Sequence, residues 1–528
     1  MLYVDKTLNL KFKEEEKRIN EKYKEDSKNL GKKEAKRIKA ISTSKLRRKK
    51  ILTGDLIRVS IMICFPIALY GLFNSLYGLL DSIICSAISA SSVTTVSALS
   101  QVKNALSAFG AGIAGGGAII VARHYGAGRI EEAKKNSAVL FSIILVVSLI
   151  ITLILVPLSR VIIRLASIED VSSDTILYFR MQLIELAIVA LNTMFIGLEK
   201  AKGNSKSILF LNMLVLVVKL ILTVIFVYGL RVKSIIYIEL STIIGQLVLL
   251  IIGLFIMFGK KNIIRISVKD FSIRWKYSGP ILALSLPIFF GKFVMSLGKV
   301  AVNSLCGHFY NDTTDSLIVG ALAVSNHLSG LVTTPTNAFE EGGSTIVSQN
   351  LGTKNIKRAI KSFWCNLLLV SIVSLVGFVL VRIVFLDKLV ELFNYKGSHN
   401  LQTPEEIAKS AKLVQYIKEV FRYDCISILV LGVTSAILGL LYGFGQTYLS
   451  GILNFSRIGT RIITLLICHY GFKMDYRAAG VSMGISNAII LLISIGFLVF
   501  FLLKIKRHGY KDMKLSDPEP SFVELDIE

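Results

Sequence analysis

The chain has 528 residues, of which 53% are hydrophobic, and a formal net charge of +25 at pH 7. Its apolar runs are long enough to cross a hydrocarbon core of about 30 Å. Because the runs are continuous rather than alternating, they predict transmembrane helices, not the strands of a barrel. The basic excess lies mostly outside these runs, as in cytoplasmic loops, so it argues against nucleic acid as a partner.

Five segments follow one another along the chain. Residues 1–54 are predicted to be a basic cytoplasmic tail, either a solvated, partly helical arm or one attracted to anionic lipid, and dispensable for transport. Residues 55–262 and 279–505 form two six-span lobes, joined by a cytoplasmic linker at 263–278 and followed by a cytoplasmic tail at 506–528. Twelve spans are predicted, near residues 56–80, 93–119, 137–158, 175–199, 207–230, 235–258, 280–306, 317–348, 362–386, 413–443, 447–470 and 480–503.

Basic residues mark one side of the membrane. Lys and Arg follow the second, fourth, sixth and eighth spans, whereas residues 81–92 and 307–316 contain none. The asymmetry predicts that both termini are cytoplasmic and that the long 387–412 connection is external. No cleavable signal peptide is visible, so we expect a multi-pass protein of the plasma membrane.

An internal repeat relates the two lobes. Gly116-Gly117-Ala118-Ile119-Ile120-Val121 matches Gly342-Gly343-Ser344-Thr345-Ile346-Val347 at an offset of 226 residues. Pro66 and Pro287 occupy matching places in the first and seventh spans. Two six-helix lobes of the same orientation imply pseudo-two-fold symmetry about an axis along the membrane normal. The predicted fold is therefore an all-α membrane protein of twelve transmembrane helices, an arrangement that transporters commonly use.

Three motifs resemble one known family. They are Val121-Ala122-Arg123-His124-Tyr125-Gly126-Ala127-Gly128 at the end of the second span, Leu69-Tyr70 and Leu76-Tyr77 ahead of Asp81, and Ala201-Lys202-Gly203-Asn204-Ser205-Lys206. Together they resemble the multidrug and toxic compound extrusion (MATE) transporters over residues 56 to about 505. The resemblance implies a V-shaped pair of lobes and alternating-access exchange of organic solutes or drugs for protons or sodium.

Charged and polar residues inside the spans are the candidate site, since ionisable groups there are costly and usually face a cavity or a partner. The resemblance implies a coupling acid at Asp81, but the second acid of proton-coupled members is replaced by Thr223, and a family asparagine by Lys219. We expect Asp81 and Lys219 to act as a buried pair. The candidate substrate- or ion-binding residues are Asp81, Asn192, Lys219, Thr223, Glu239, Lys292, Lys299, Asn303, Glu340 and Glu341.

The leading hypothesis is a MATE-type secondary transporter that exports organic solutes by proton- or sodium-coupled antiport. Its predicted partners are a small organic substrate and the lipid bilayer, with no metal or other cofactor and a monomer as the functional unit. The alternative is a flippase of the same superfamily for lipid-linked saccharide or another anionic amphiphile, which the interior lysines favour. A membrane enzyme is disfavoured because the histidines share no spacing, and a channel because no filter-like repeat occurs.

Overall fold

The computed structural model is almost entirely helical over the residues that it describes. These are residues 6–88, 90–165, 172–226, 234–271, 273–310, 317–391 and 404–510, without the side chains of 6, 7, 77–98, 165, 268, 317 and 404–410. The helices are α1 (Lys6–Asn29), α2 (Lys32–Thr53), α3 (Leu56–Ile88), α4 (Ala90–Gly126), α5 (Ile130–Leu155), α6 (Ser159–Leu165), α7 (Ser173–Ala201), α8 (Ser205–Val224), α9 (Ile235–Phe258), α10 (Trp275–Tyr310), α11 (Leu317–Gly352), α12 (Ile356–Phe378), α13 (Leu386–Glu391), α14 (Pro404–Asp424), α15 (Ile426–Gly443), α16 (Thr447–Leu466) and α17 (Arg477–His508).

Twelve of these helices form the predicted membrane domain. Eleven segments in the described part of the chain are long and apolar enough to cross a bilayer. The twelfth is α11, a 36-residue helix that packs on α3, α4, α12, α14 and α15. Because α11 contacts other helices on so many sides, it can carry the polar residues that lower its hydropathy. The predicted all-helical architecture is thus confirmed.

Symmetry-related contacts join the two lobes, α3–α9 and α10–α17. Helix α4 of the first lobe packs along α10 of the second, and α11 packs in the same way along α3. Gly116 lies against Ser285, and its repeat partner Gly342 lies against Cys64. At either glycine a side chain would collide with the facing helix, so the repeated glycines allow a close approach of the two lobes.

The predicted tenth span is interrupted. The structure divides residues 413–443 into the end of α14 and the whole of α15, which meet at Cys425. Asp424 lies at this break and is 5% exposed, with Oδ2 accepting a hydrogen bond of 2.7 Å from Ser329 Oγ. The predicted tenth span therefore covers two helical segments, separated by Cys425, whose own backbone stays in the right-handed helical region.

The amino-terminal segment, expected to be either a solvated, partly helical arm or one attracted to anionic lipid, packs on the membrane domain. Helices α1 and α2 form a hairpin held by ion pairs of 3.0 Å from Lys49 to Glu15 and from Lys50 to Glu16. Helix α2 buries Ala35, Leu46, Ile51 and Leu52. These apolar residues were overlooked among the charges, yet they fix α2 on the membrane domain.

Helix α2 contacts both lobes. Arg48 Nε donates a 3.2 Å hydrogen bond to the carbonyl oxygen of Gly126 in α4, and Tyr125 Oη donates one of 2.9 Å to Ser44 O. On the other lobe, Arg358 of α12 donates to the carbonyl oxygens of Ile51 and Gly54. The hairpin therefore crosses the side of the molecule at which α4, α7, α9 and α11 end, here called the basic face.

Candidate functional site

The lobes are joined at the basic face by two equivalent hydrogen bonds. Arg123, at the end of α4, donates a 2.7 Å bond to the carbonyl oxygen of Gly443, the last residue of α15. Gln349, at the matching position of α11, donates a 2.7 Å bond to the carbonyl oxygen of Ala201, the last residue of α7. Each satisfies a carbonyl group that a helix end leaves without an intrahelical partner.

A charged cluster lies between the lobes just inside this closure. Lys200 of α7 forms an ion pair with Glu341 of α11, so the contact crosses from one lobe to the other. Lys292 of α10 and Glu340 line the same small cavity, whose volume is about 90 Å³. Three of the predicted site residues therefore meet at one place, with two cations facing two carboxylates.

A larger polar cavity, here called the central cavity, lies deeper between the lobes. Its volume is about 580 Å³, and helices of both lobes line it. Among the side chains that the structure describes, four Lys and Arg residues face it, together with one acid, Asp424. The charged lining consists of Lys219 of α8, Lys299 of α10, Arg457 and Arg461 of α16, and Asp424.

The two arginines are held in place by burial. Arg457 and Arg461 are 8% and 5% exposed and stand one helical turn apart on α16. Arg461 Nε donates a 3.3 Å hydrogen bond to Ser486 Oγ. Arg457 Nε has no hydrogen-bond partner within the described part of the chain. A buried guanidinium donor without a partner costs free energy that an anion bound in the cavity would recover.

The first lobe contains its own buried charge cluster. Lys103 of α4 forms ion pairs with Glu185 of α7 and with Glu239 of α9, the latter at 3.4 Å. Both carboxylate side chains are less than 5% exposed. Lys219 attracts both carboxylates and also lines the central cavity. One lysine is thus positioned between the acidic cluster and the cavity.

The family model MatE matches residues 66–225 and 287–467, the two lobes in turn. The chain belongs to the MATE family. Solved structures agree in fold: a MATE structure in complex with MaL6 is 18% identical with a TM-score of 0.77, over 87% of this chain and 99% of that one. An outward-facing multidrug resistance MATE family transporter of the MOP superfamily is 17% identical, with a TM-score of 0.77 over 87% and 98%.

A third neighbour of this MATE chain is a MOP superfamily transporter from Pyrococcus furiosus, for which reverse polarity of the binding pocket suggests a different function. It is 18% identical, with a TM-score of 0.78 over 87% of this chain and 98% of that one. No curated protein matches the sequence. At these identities the structural neighbours establish the fold, and the family assignment makes the chain a membrane transporter.

Three of the remaining predicted residues of this MATE transporter, Asn192, Thr223 and Asn303, are absent from the described lining of both inter-lobe cavities. Asn192 Nδ2 donates hydrogen bonds of 2.9 and 2.8 Å to the carbonyl oxygen and Oε1 of Gln246, between α7 and α9. Asn303 Nδ2 donates a 3.3 Å bond across the lobes to Gln101 Oε1. Thr223 is fully buried in α8, one turn beyond Lys219. The side chain of Asp81 lies outside the described residues, so the Asp81–Lys219 pair stays a prediction.

The sequence analysis did not single out four charged residues of the central cavity and of the buried cluster in the first lobe. Lys103, Asp424, Arg457 and Arg461 all lie in or next to apolar segments, where a charge is itself a signal of function. The i, i+4 spacing of Arg457 and Arg461 puts both on one face of a helix. Lys103 lies ten residues inside the second predicted span, 93–119, and carries the same signal.

Proposed function

We propose that this MATE-family chain is a secondary transporter of an anionic organic solute, which binds in the central cavity. The observation that carries the proposal is the charge of the described lining of that cavity, four Lys and Arg side chains against one aspartate. Like charges held close together in a low-dielectric site repel one another, and an anion relieves that repulsion. A cationic drug would instead add to it.

The size of the cavity favours a small solute over a large amphiphile. About 580 Å³ is within the range of about 300–1,000 Å³ that is usual for small-molecule sites. The flippase alternative would require room for a lipid-linked saccharide. The Pyrococcus furiosus transporter, with its reverse pocket polarity, is a precedent in the same fold for a pocket charge that suggests a different function.

The buried cluster of Lys103, Glu185 and Glu239 is the proposed coupling site. Two carboxylates share one ammonium group, so one proton or one sodium ion would neutralise the remaining negative charge. Lys219 interacts with both carboxylates and faces the cavity. Occupancy of the cluster therefore changes the field that the solute experiences, and such a coupling free energy acts in both directions.

Alternating access fits the symmetric lobes and the closure at the basic face. In this proposal the lobes rock about the α4–α10 and α3–α11 contacts and expose the cavity to each side of the plasma membrane in turn. The positive-inside rule makes the basic face cytoplasmic. We propose a monomer as the transporting unit, because each chain contains both lobes and a complete cavity.

Flux into proteoliposomes tests the proposal directly. Purified protein is reconstituted, and uptake is compared for organic anions and cations of matched size, under imposed proton or sodium gradients. We expect saturable anion flux that one gradient accelerates and that Arg457→Gln weakens. Transport of the cations alone would overturn the proposed substrate class, and gradient-driven scrambling of an anionic lipid-linked saccharide would favour the flippase.

A further inference from the structure

A second large cavity, outside the membrane domain's central site, lies beneath the amino-terminal hairpin. It has a volume of about 1,150 Å³ and is bounded by α2, the turn between α7 and α8, and the end of α9. The hairpin forms one wall, and the hydrogen bonds from Arg48 and Tyr125 hold that wall against the end of α4. The cavity therefore exists because α2 is docked.

The cavity wall is strongly basic. Eight Lys and Arg side chains line it against two glutamates. Both glutamates already have partners in the same wall, Glu34 with Arg37 at 3.2 Å and Glu199 with Lys202. By contrast, Lys33, Lys36, Lys39, Lys260 and Lys261 have no ion-pair partner among the residues that the structure describes. The wall thus has an uncompensated positive charge.

A further cation of this wall, Arg47, is partly buried. Arg47 lines the cavity from α2, and desolvation lowers the pKa of its guanidinium although Tyr125 and Glu199 act in the opposite direction. Desolvation of a charged group is unfavourable unless an opposite charge comes close. An anionic group in the cavity would supply it.

The opposite wall of the cavity is apolar and continues onto the membrane surface. Ile252, Phe255 and Ile256 belong to the last two turns of α9, a membrane span. Phe255 is 77% exposed on the outer side of that helix. A large aromatic side chain so exposed on a span faces acyl chains, and next to the lysines it marks the headgroup level.

We propose that this cavity binds an anionic phospholipid, with the phosphate headgroup between the lysines of α2 and α9 and the acyl chains against Ile252 and Phe255. The combination decides the ligand class, because a soluble anion would use the basic wall but not the apolar one. Anionic lipids are enriched in the cytoplasmic leaflet, and polybasic segments beside a span bind them. A lipid held there bridges α2 and α9 and so stabilises the docked hairpin.

Thermal unfolding and lipid binding of the full-length protein test the site. Detergent-purified protein is titrated with phosphatidylglycerol, phosphatidylcholine or inorganic phosphate, and the melting temperature and the number of bound lipids in native mass spectra are recorded. We expect phosphatidylglycerol to raise the melting temperature and to bind at least tenfold more tightly than phosphatidylcholine. Inorganic phosphate should do neither. Equal stabilisation by phosphate and phosphatidylglycerol would overturn the proposed lipid.

A matched pair of variants separates a built site from diffuse attraction. The quadruple variant Lys36→Gln, Lys39→Gln, Lys260→Gln, Lys261→Gln removes four cavity lysines. The control Lys22→Gln, Lys28→Gln, Lys357→Gln, Lys506→Gln removes four exposed lysines outside the cavity. We expect at least a tenfold loss of the preference for phosphatidylglycerol in the first and a change below twofold in the second. Equal losses in both would overturn the proposal.

Discussion

Arg123 and Gln349 occupy equivalent positions of the two repeats, 226 residues apart, and each binds the last carbonyl group of a helix in the opposite lobe. The glycines three residues later, Gly126 and Gly352, lie against Gln349 and Arg123 respectively. The contact is reciprocal, as a two-fold axis between the lobes requires. The repeat seen in the sequence is therefore also the element that closes the basic face.

The first prediction concerns this closure. Arg123→Ala should open the basic face, because a hydrogen bond to a charged donor contributes about 1.5–3 kcal/mol, roughly a tenfold to hundredfold change in population. Gln349→Ala should have a smaller effect, since its bond is between neutral groups. The measurement is the rate at which a thiol reagent modifies Ser344→Cys, which lines the small inter-lobe cavity, in a background without native cysteines.

Lys206→Ala is the control for that experiment, because Lys206 is an exposed lysine on the same face. In the Lys206→Ala variant, the thiol reagent should modify Ser344→Cys at the same rate as in the parent protein. If Arg123→Ala also leaves the rate unchanged, the hydrogen bond to Gly443 does not hold the lobes together.

The buried cluster predicts different results for its lysine and its acids. Lys103→Met removes the ion-pair partner that Glu185 and Glu239 share, and breaking a buried pair in this way typically costs about 3–5 kcal/mol. Glu239→Gln keeps the Lys103–Glu185 ion pair, so the protein should unfold near the parent temperature while gradient-driven flux is lost. Thermal unfolding and flux measured on the same preparations check both outcomes.

The double variant Lys103→Met, Glu185→Gln is the matching control. It removes one charge of each sign and should be more stable than Lys103→Met alone. Normal gradient-driven flux in Glu239→Gln would exclude Glu239 from coupling.

The cavity arginines predict the charge selectivity of the transporter. Arg457→Gln should raise KM for the anionic solute by about tenfold to hundredfold, the range expected on losing a charge-assisted hydrogen bond. Arg457→Lys keeps the charge but not the guanidinium geometry, so its KM should lie between those of the parent protein and of Arg457→Gln. Concentration-dependent flux measures KM, with Lys206→Gln as the control. An unchanged KM in Arg457→Gln would show that Arg457 does not bind the solute.

Membrane orientation is a prediction of the basic loops and can be checked by labelling. Lys206 follows α7 on the basic face, and Lys388 lies in α13, beyond the far end of the α12 span. In a cysteine-free background, Lys206→Cys should react only with a reagent supplied from the cytoplasm and Lys388→Cys only from outside. Labelling of Lys206→Cys from outside would invert the topology.

The sequence alone determined the membrane class, eleven of the twelve spans with their ends within about eight residues, the repeat and the family. These features are local or periodic, since about twenty apolar residues define a span wherever its neighbours lie. The junction at Cys425 was not predictable, because hydropathy averages over the window that contains it. The buried side of α2 was hidden in the same way, by the lysines around Leu46 and Ile51.

Only the tertiary structure decided which charges meet. Lys103, Glu185 and Glu239 lie on three helices far apart in the chain, and their contact depends on how each helix is rotated about its axis. Lys219 and Lys299 were recognised singly, but their place beside Arg457 and Arg461 depends on how the lobes pack. The sequence placed each charge at a depth in the membrane, whereas the packing of the helices selected its partners and so brought four described cations to the central cavity.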